Sequence, residues 1–299
     1  DLWLPRSSRH PKPISNHHQI QSMRHTIFSN YKTPALMGIL NVTPDSFSDS
    51  GQFFELDKAV AHLDYLISSG AEIIDLGGES TRPGSLEVDP DEEVRRLKPI
   101  LKHLNEKYPQ MEISLDTRHS QAAQLAQKYG LTYLNDISAL NHDPEMITFL
   151  QKHTEVKVIL MHMKGQPQTM QEDPHYDDLF GEVNDFLAER ISFCEANGIS
   201  RDRIILDPGV GFGKTALHNL QIIAGMDKLA HFGLPFLVGV SRKRFINEIH
   251  PSSVTNRLAG TLASALILAL QKVEIVRVHD VFEHAQFFTI LNALIEAGS

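Results

Sequence analysis

The 299-residue chain contains a single cysteine, Cys194, and this scarcity excludes an internal disulfide and a zinc site built on several cysteines. Cys194 lies in a stretch with helical spacing of apolar residues. We therefore expect a buried thiol of the core rather than a catalytic nucleophile. So few cysteines are consistent with a reducing compartment, and we predict a cytoplasmic protein.

The sequence also lacks a positive net charge and a long apolar run. A net charge of −9 argues against general nucleic-acid binding, so any anionic ligand must be held by a local cluster of cations. No apolar run approaches the ~20 residues of a membrane-spanning helix. With 41% hydrophobic and 22% charged residues, the composition predicts a globular protein with an ample core.

Residues 1–30 differ from the remainder of the chain because they are polar and show no apolar periodicity. They include His10, His17, His18 and His25 but lack the apolar core of a secretory signal. We predict that residues 1–30 form a disordered extension or leader, and that residues 31–299 form one folded domain.

Short apolar segments alternate with amphipathic stretches from residue 35 onward. The segments that predict strands are 35–40, 72–76, 112–116, 132–137, 156–161, 203–207, 236–240 and 274–279. The clearest helical stretches are 57–69, which ends before Gly70, and 91–107, 178–197, 254–271 and 282–296. Eight such strand–helix units favour a (β/α)8 TIM barrel in a single α/β domain. A doubly wound sheet is the alternative, although such sheets usually have fewer strands.

In a barrel, polar residues at the carboxyl ends of the strands face a common pocket. Asn41 follows the first strand, and Asp116, Asn135 and Asp207 end the third, fourth and sixth. Any one of them could instead cap a following helix. Together, two carboxylates and an amide suit a flat heterocycle that presents ring N–H and amino groups.

Glycine-rich loops follow the second and sixth strands. In the first loop, glycines and a proline bracket Thr81 and Arg82, and Arg82 could pair with a phosphate. The second loop ends in Gly-Lys-Thr, but its three residues between Gly209 and Gly213 are one short of a P-loop. We therefore expect this loop to present Phe212 to an aromatic ligand.

Cationic residues cluster after the last two strands. Arg242, Lys243 and Arg244 follow the seventh strand, while Arg277 and His279 lie two residues apart on the eighth. Barrels often bind phosphate at these two loops. Arg277 lies in an otherwise apolar strand, where an unpaired charge is costly to bury. The pattern therefore favours an anion site over a solvated cationic turn.

Five motifs of the chain resemble, in order, those of the dihydropteroate synthase family. The motifs are Asn41-Val42-Thr43-Pro44-Asp45-Ser46-Phe47-Ser48-Asp49, Gly77-Gly78-Glu79-Ser80-Thr81-Arg82-Pro83-Gly84, Asp207-Pro208-Gly209-Val210-Gly211-Phe212-Gly213-Lys214, Ser241-Arg242-Lys243 and Arg277-Val278-His279-Asp280. The resemblance implies a transferase of folate biosynthesis. This enzyme would condense 6-hydroxymethyl-7,8-dihydropterin diphosphate with p-aminobenzoate to give 7,8-dihydropteroate and diphosphate.

The resemblance also implies a role for each matching residue. The pterin would be held by Asp116, Asn135, Met161, Asp207 and Lys243. The diphosphate would be held by Asn41, Arg277 and His279, with Mg²⁺ near Asn41. The p-aminobenzoate side would comprise Thr81, Arg82, Pro83, Phe212 and Ser241, with Asp45 and Phe47 closing over it. The residues expected to act in catalysis are Asp45, Arg82, Lys243, Arg277 and His279.

Two departures and two rival functions accompany the resemblance. Ser50 and Arg244 stand where the family pattern suggests Gly and Ser. A pterin-dependent methyltransferase would share the pterin pocket but would not need Arg277 and His279, and a non-catalytic pterin-binding paralogue is the second rival. The resemblance implies a homodimer as well. The apolar stretch from Leu258 to Leu270 could supply its interface, although packing on the barrel would explain this stretch equally well.

Overall fold

The structure is a computed structural model that describes residues 30–42, 52–79, 88–165 and 169–298. Its strands are β1 Ala35–Asn41, β2 Ile73–Gly77, β3 Glu112–Asp116, β4 Leu131–Asp136, β5 Lys157–Met161, β6 Ile204–Asp207, β7 Leu237–Gly239 and β8 Ile275–Val278. Its α-helices are α1 Gln52–Ser68, α2 Pro90–Lys107, α3 Ser120–Gln127, α4 Glu145–Lys152, α5 Leu179–Ala196, α6 Ala216–Ala224, α7 Arg244–Ile249, α8 Leu258–Leu270 and α9 Val281–Ala297. The predicted extension of residues 1–30 lies almost wholly outside the described residues.

The strands form one parallel sheet in the order β6-β5-β4-β3-β2-β1-β8-β7. Leu206 of β6 bridges to Phe236, the residue before β7, and its amide donates to the Pro235 carbonyl at 2.9 Å. These contacts join the two ends of the sheet into a nearly closed barrel. The predicted (β/α)8 fold is confirmed.

Side chains alternate across each strand, so one set fills the barrel and the other packs under the helices. The outward set joins the helices in the main apolar core, as Leu40, Ile74 and Leu206 illustrate. The inward set forms an apolar plug inside the barrel, which comprises Met37, Ile73, Tyr133, Ile159, Ile205, Leu237 and Ile275. Two residues further along several of these strands, the inward-facing side chains are polar. This polar layer lies at the carboxyl end of the barrel.

The helix boundaries confirm one local prediction and correct another. Helix α1 ends at Ser68, and Gly70 follows in the left-handed region with φ of 104°, as expected of a glycine after a helix. The predicted helix 254–271 was wrong at its start, because Val254–Asn256 form a separate 3-10 turn and α8 begins only at Leu258. Arg257, between the two, has φ of −95° and ψ of 6°, which breaks the helical path.

Cys194 is fully buried in the core on α5, as predicted, and burial raises the pKa of its thiol to about 11. A thiol in this state is a poor nucleophile at neutral pH. Within the described segments, no helix combines the length and apolar character needed to cross a lipid bilayer.

Two helix ends with the same geometry offer a matched test of backbone strain. Lys272 and Gly198 each follow the cap of a helix, α8 and α5, with φ of 62° and 76°, and both are exposed. We expect Lys272→Gly to raise the free energy of unfolding by about 0.5–1 kcal/mol, because glycine adopts this region without strain. Gly198→Ala should lower it by about 1 kcal/mol, since an added Cβ would contact nothing to offset the strain. Urea denaturation measures both, and equal signs for the two variants would contradict this explanation.

Candidate active site at the carboxyl ends of the strands

A cleft of about 380 Å³ opens at the carboxyl ends of the strands. This volume lies in the range of small-molecule sites. Its lining joins the predicted residues Asn41, Phe212, Ser241, Lys243, Arg277 and His279. The sequence-based expectation that these strand ends share one pocket is met for this set.

Arg277 crosses the floor of the cleft and pairs with two carboxylates. Its Nε donates to Asp75 Oδ2 at 2.5 Å, and its Nη2 donates to Asp116 Oδ2 at 2.7 Å. Burial lowers the pKa of Arg277, but the two carboxylates outweigh this effect and raise the pKa above its usual value. The charge of Arg277 is thus already balanced by two carboxylates, so its position in an apolar strand does not by itself require an anionic ligand.

Asp75 is the member of this network that the sequence analysis missed. It is fully buried on β2, where its Oδ1 accepts from Ser114 Oγ at 2.6 Å and its Oδ2 from Asn135 Nδ2 at 3.3 Å. Asp75 thus fixes one side chain on each of β3, β4 and β8. A single carboxylate inside the apolar run Ile73-Ile74-Asp75-Leu76 was the signal that could have identified it.

Asp116 is buried at the end of β3 and uses only one of its oxygens. Its Oδ2 accepts from Arg277, while Oδ1 is buried without a hydrogen-bond partner. Burial raises the pKa of this carboxyl to about 7, although Arg277 opposes the rise. A buried acceptor with no donor costs about 1–3 kcal/mol, so a ligand N–H that reached Oδ1 would bind with that advantage.

Asp207 and Met161 end neighbouring strands and are paired in the sheet register. Asp207 Oδ1 accepts from the Gly209 amide at 2.7 Å, so this carboxylate also shapes the loop that follows β6. Burial raises the pKa of Asp207, whereas Lys243, Lys214 and Arg277 oppose the rise. Among the described residues, four of the predicted pterin residues thus lie at strand ends without lining the cleft itself, whereas Lys243 lines it. The four are Asp116, Asn135, Met161 and Asp207.

The three cations after β7 have different partners. Arg242 forms a two-point ion pair with Asp280, its Nε donating at 3.0 Å, and Arg244 pairs with Glu248 at 2.6 Å on the exposed side of α7. Lys243 takes part in neither of these ion pairs. Its Nζ instead packs on Phe212, 4.5 Å from the ring centroid. Burial, followed by Arg277, lowers the pKa of Lys243 to about 8.

The loops after β7 and β8 are joined through Ser241 and His279. The His279 amide donates to Ser241 Oγ at 3.1 Å, and His279 Nδ1 lies 3.0 Å from the same oxygen. This contact brings the predicted p-aminobenzoate residue Ser241 next to the predicted diphosphate residue His279. Of the other predicted site residues, Asp45, Phe47, Thr81, Arg82 and Pro83 lie outside the described residues.

Comparison with known proteins matches residues 37–279 to the pterin binding enzyme family. The dihydropteroate synthase of Escherichia coli K12 is 44% identical over 264 residues, which cover 88% of this chain and 93% of that protein. The structure of the Xanthomonas albilineans enzyme with 4-aminobenzoic acid is 39% identical with a TM-score of 0.81, covering 88% and 93% of the two chains. The same enzyme in complex with 7,8-dihydropteroate is 36% identical with a TM-score of 0.77, covering 88% and 94%.

The floor network predicts a strong effect of Asp75 on stability. We expect Asp75→Asn to lower the free energy of unfolding by about 3 kcal/mol, because it breaks a buried ion pair and leaves the Arg277 charge with one partner. The matched control is Asp64→Asn, which removes a partly exposed carboxylate that contacts Lys107, His103 and Tyr108, and it should cost clearly less than Asp75→Asn. Urea denaturation measures the free energy of unfolding of both variants. Equal losses would show that the Asp75–Arg277 pair stabilises the fold no more than the Asp64 contacts do.

Proposed function

The chain belongs to the pterin-binding enzyme family, and from this premise we propose how it acts as a dihydropteroate synthase. It is a transferase of folate biosynthesis that joins 6-hydroxymethyl-7,8-dihydropterin diphosphate to p-aminobenzoate and releases diphosphate. The relatives that carry this name span nearly the whole chain. For the roles of individual residues, the metal and the assembly, the geometry of the site supports the following proposals.

The observation that carries the proposal is the unpartnered, buried Oδ1 of Asp116, whose other oxygen accepts from Arg277 in the lining of the cleft. A pterin ring presents N–H and amino donors along one edge, and a carboxylate accepts such donors at two oxygens. Asp116 and Asp207 would accept from this edge, while Asn135, held by Asp75, would both donate and accept. Met161 would pack on the ring face, and Lys243 would donate to a ring acceptor.

The diphosphate would lie above this floor, beside Asn41, Arg277 and His279. Within the described segments, no group of three His, Cys, Asp or Glu side chains could hold a metal ion. Mg²⁺ nevertheless suits the site, because it commonly takes one or two protein oxygens and completes its shell with substrate phosphates and water. Asn41 would supply the protein oxygen, and the bound ion would neutralise charge on the departing diphosphate.

The chemistry requires one bond to break and one to form. The methylene C–O bond breaks with its electron pair moving to diphosphate, and the arylamine nitrogen of p-aminobenzoate then bonds to the methylene and loses a proton. The electron-rich dihydropterin can delocalise positive charge from the methylene, so we propose a dissociative cleavage. Arg277 and His279 would stabilise the charge that develops on diphosphate, and a neutral arylamine needs no strong base.

The p-aminobenzoate would enter on the side of Phe212 and Ser241. The Phe212 ring lies against Lys243 at the cleft, where it offers an apolar surface to the arylamine. Thr81, Arg82 and Pro83 would complete this side, and Asp45 and Phe47 would close over it and exclude water that could capture the cation. Since these five residues lie outside the described residues, their roles rest on the resemblance alone.

A cytoplasmic homodimer is the proposed state of the enzyme. Helix α8 turns Thr261, Ser264, Ala265, Leu268 and Ala269 toward the barrel, so packing explains one of its faces. Its outward face, which includes Ala259, Ala263 and Ile267, is exposed and carries no charge. The adjoining helix α6 also exposes Leu217 and Leu220. Uncharged apolar helices side by side support a subunit interface here.

The proposed reaction is tested by product formation with a defined metal supply. We expect the purified protein to form dihydropteroate from the pterin diphosphate and p-aminobenzoate with Mg²⁺, and to lose this activity with a chelator until Mg²⁺ is restored. Asn41→Ala should need a higher Mg²⁺ concentration for half-maximal rate. Pterin binding without any product would instead favour a non-catalytic paralogue, while full activity in chelator would refute the metal requirement alone.

The proposed interface is tested by one charge on α8. We expect Ile267→Glu to shift the protein from dimer to monomer in sedimentation velocity, because a carboxylate would be buried without a partner between subunits. Tyr65→Glu on α1 is the matched control, since Tyr65 is a similarly exposed apolar side chain on a different helix and should leave the dimer intact. A wild-type monomer, or an unchanged dimer in the α8 variant, would contradict this interface.

A further inference from the structure

Lys214 is a buried lysine at the cleft for which the proposed chemistry has no use. Its side chain is 2% exposed, yet its Nζ has three acceptors. It donates to His162 Nδ1 at 2.9 Å, to the Gly209 carbonyl at 3.1 Å and to the Phe212 carbonyl at 3.2 Å. Burial lowers the pKa of Lys214 to about 7. In the ammonium form all three donors are used within the protein.

The two carbonyls belong to opposite ends of one turn, residues 209–212. Within it the Phe212 amide donates to the Gly209 carbonyl at 3.0 Å. The turn lies directly against the segment after β5, because a Cβ on Gly209 would be 1.8 Å from the His162 carbonyl oxygen. At the first residue after the turn, a Cβ on Gly213 would be 2.2 Å from the Lys164 carbonyl oxygen. Lys214 therefore joins both ends of the turn to the segment on which it rests.

Other side chains hold the middle and the end of the same loop. The Gly211 amide donates to Asn219 Oδ1 at 2.7 Å, and Gln171 Nε2 donates to the Gly211 carbonyl at 2.5 Å. Tyr176 donates to the Gly213 carbonyl at 2.9 Å. Backbone groups that would otherwise remain free are thus fixed by side chains, which specifies one conformation of the loop.

This loop in turn supports Lys243. A Cβ on Gly211 would lie 3.0 Å from Lys243 Cδ, so the backbone of the loop packs on the lysine stem. The Phe212 ring then lies beneath the ammonium group at 4.5 Å. Any displacement of the loop would move both Phe212 and Lys243, which the proposed function assigns to p-aminobenzoate and to the pterin.

We propose that Lys214 is a positioning residue that fixes the separation of Phe212 and Lys243 through its bonds to the two carbonyls of the turn and to His162. The inference rests on the proposed function for the identity of the two substrates. Lys214 itself touches neither substrate, and its saturated donors leave nothing for a phosphate. Its effect should appear in substrate affinity more than in the rate of the chemical step.

The test replaces Lys214 by methionine, which keeps the length and apolar stem but removes the three donors. We expect Lys214→Met to raise KM for p-aminobenzoate about tenfold, with kcat changed less than about threefold. Lys214→Gln, which can bond one carbonyl, should give an intermediate KM and replaces the methionine variant if that protein does not fold. A KM equal to that of the wild type in these variants would overturn the proposal.

A double-mutant cycle separates positioning from a general loss of stability. Because Lys214 acts through Phe212, Lys214→Met combined with Phe212→Leu should raise KM little beyond the larger single effect. The control cycle pairs Lys214→Met with Asn135→Ala on β4, whose effects should multiply. Multiplying effects in both cycles would overturn the proposal.

Failure of the inference and failure of the proposed function are distinguishable. If the wild-type protein forms no dihydropteroate, the proposed function fails regardless of Lys214. Hydrogen exchange of the amides of residues 211–213 then still measures the anchoring, which should be faster in Lys214→Met than in the wild type. If the wild type turns over but neither KM nor exchange changes in the variant, the inference alone fails.

Discussion

The site depends on one ion-pair network, in which the guanidinium of Arg277 lies between the buried carboxylates of Asp75 and Asp116. Removing three charged groups from water is unfavourable unless their geometry is good and their remaining atoms are satisfied. Here Arg277 is shared between strands β2 and β3, and Asp75 is further bonded from Ser114 and Asn135. Asp116 Oδ1 has no hydrogen-bond donor within the protein, and the edge of the pterin would supply one.

The two-residue period of the strands explains why a polar floor lies directly above an apolar plug. Ile73, Tyr133, Ile205 and Ile275 close the barrel from below. Two residues later, the same strands present Asp75, Asn135, Asp207 and Arg277. The apolar layer excludes water beneath the floor, so charges there interact more strongly than at a surface. Stability and recognition are therefore built from alternate positions of the same strands.

Several elements of the fold could be predicted from local sequence. The strands coincide with clear apolar runs. The periodicity of apolar residues predicted the bounds of the long helices α2, α5 and α9 to within one or two residues. The short helices α3, α4, α6 and α7 span nine residues or fewer, too few turns for a periodic signal. The partners of charged residues could not be predicted either. Arg242 with Asp280 and Arg277 with Asp75 are distant in sequence, and only the closed barrel brings them together.

The central claim is that Asp116 completes its hydrogen bonding with the pterin. Calorimetric titration of the wild type and of Asp116→Asn with the pterin diphosphate, without p-aminobenzoate, tests this most directly. Burial raises the pKa of Asp116 to about 7, so the titration is carried out at pH 8, where the carboxylate form predominates. The account predicts a Kd at least about tenfold weaker in the variant, the loss of roughly one charged hydrogen bond. An unchanged Kd in a folded Asp116→Asn protein would contradict it.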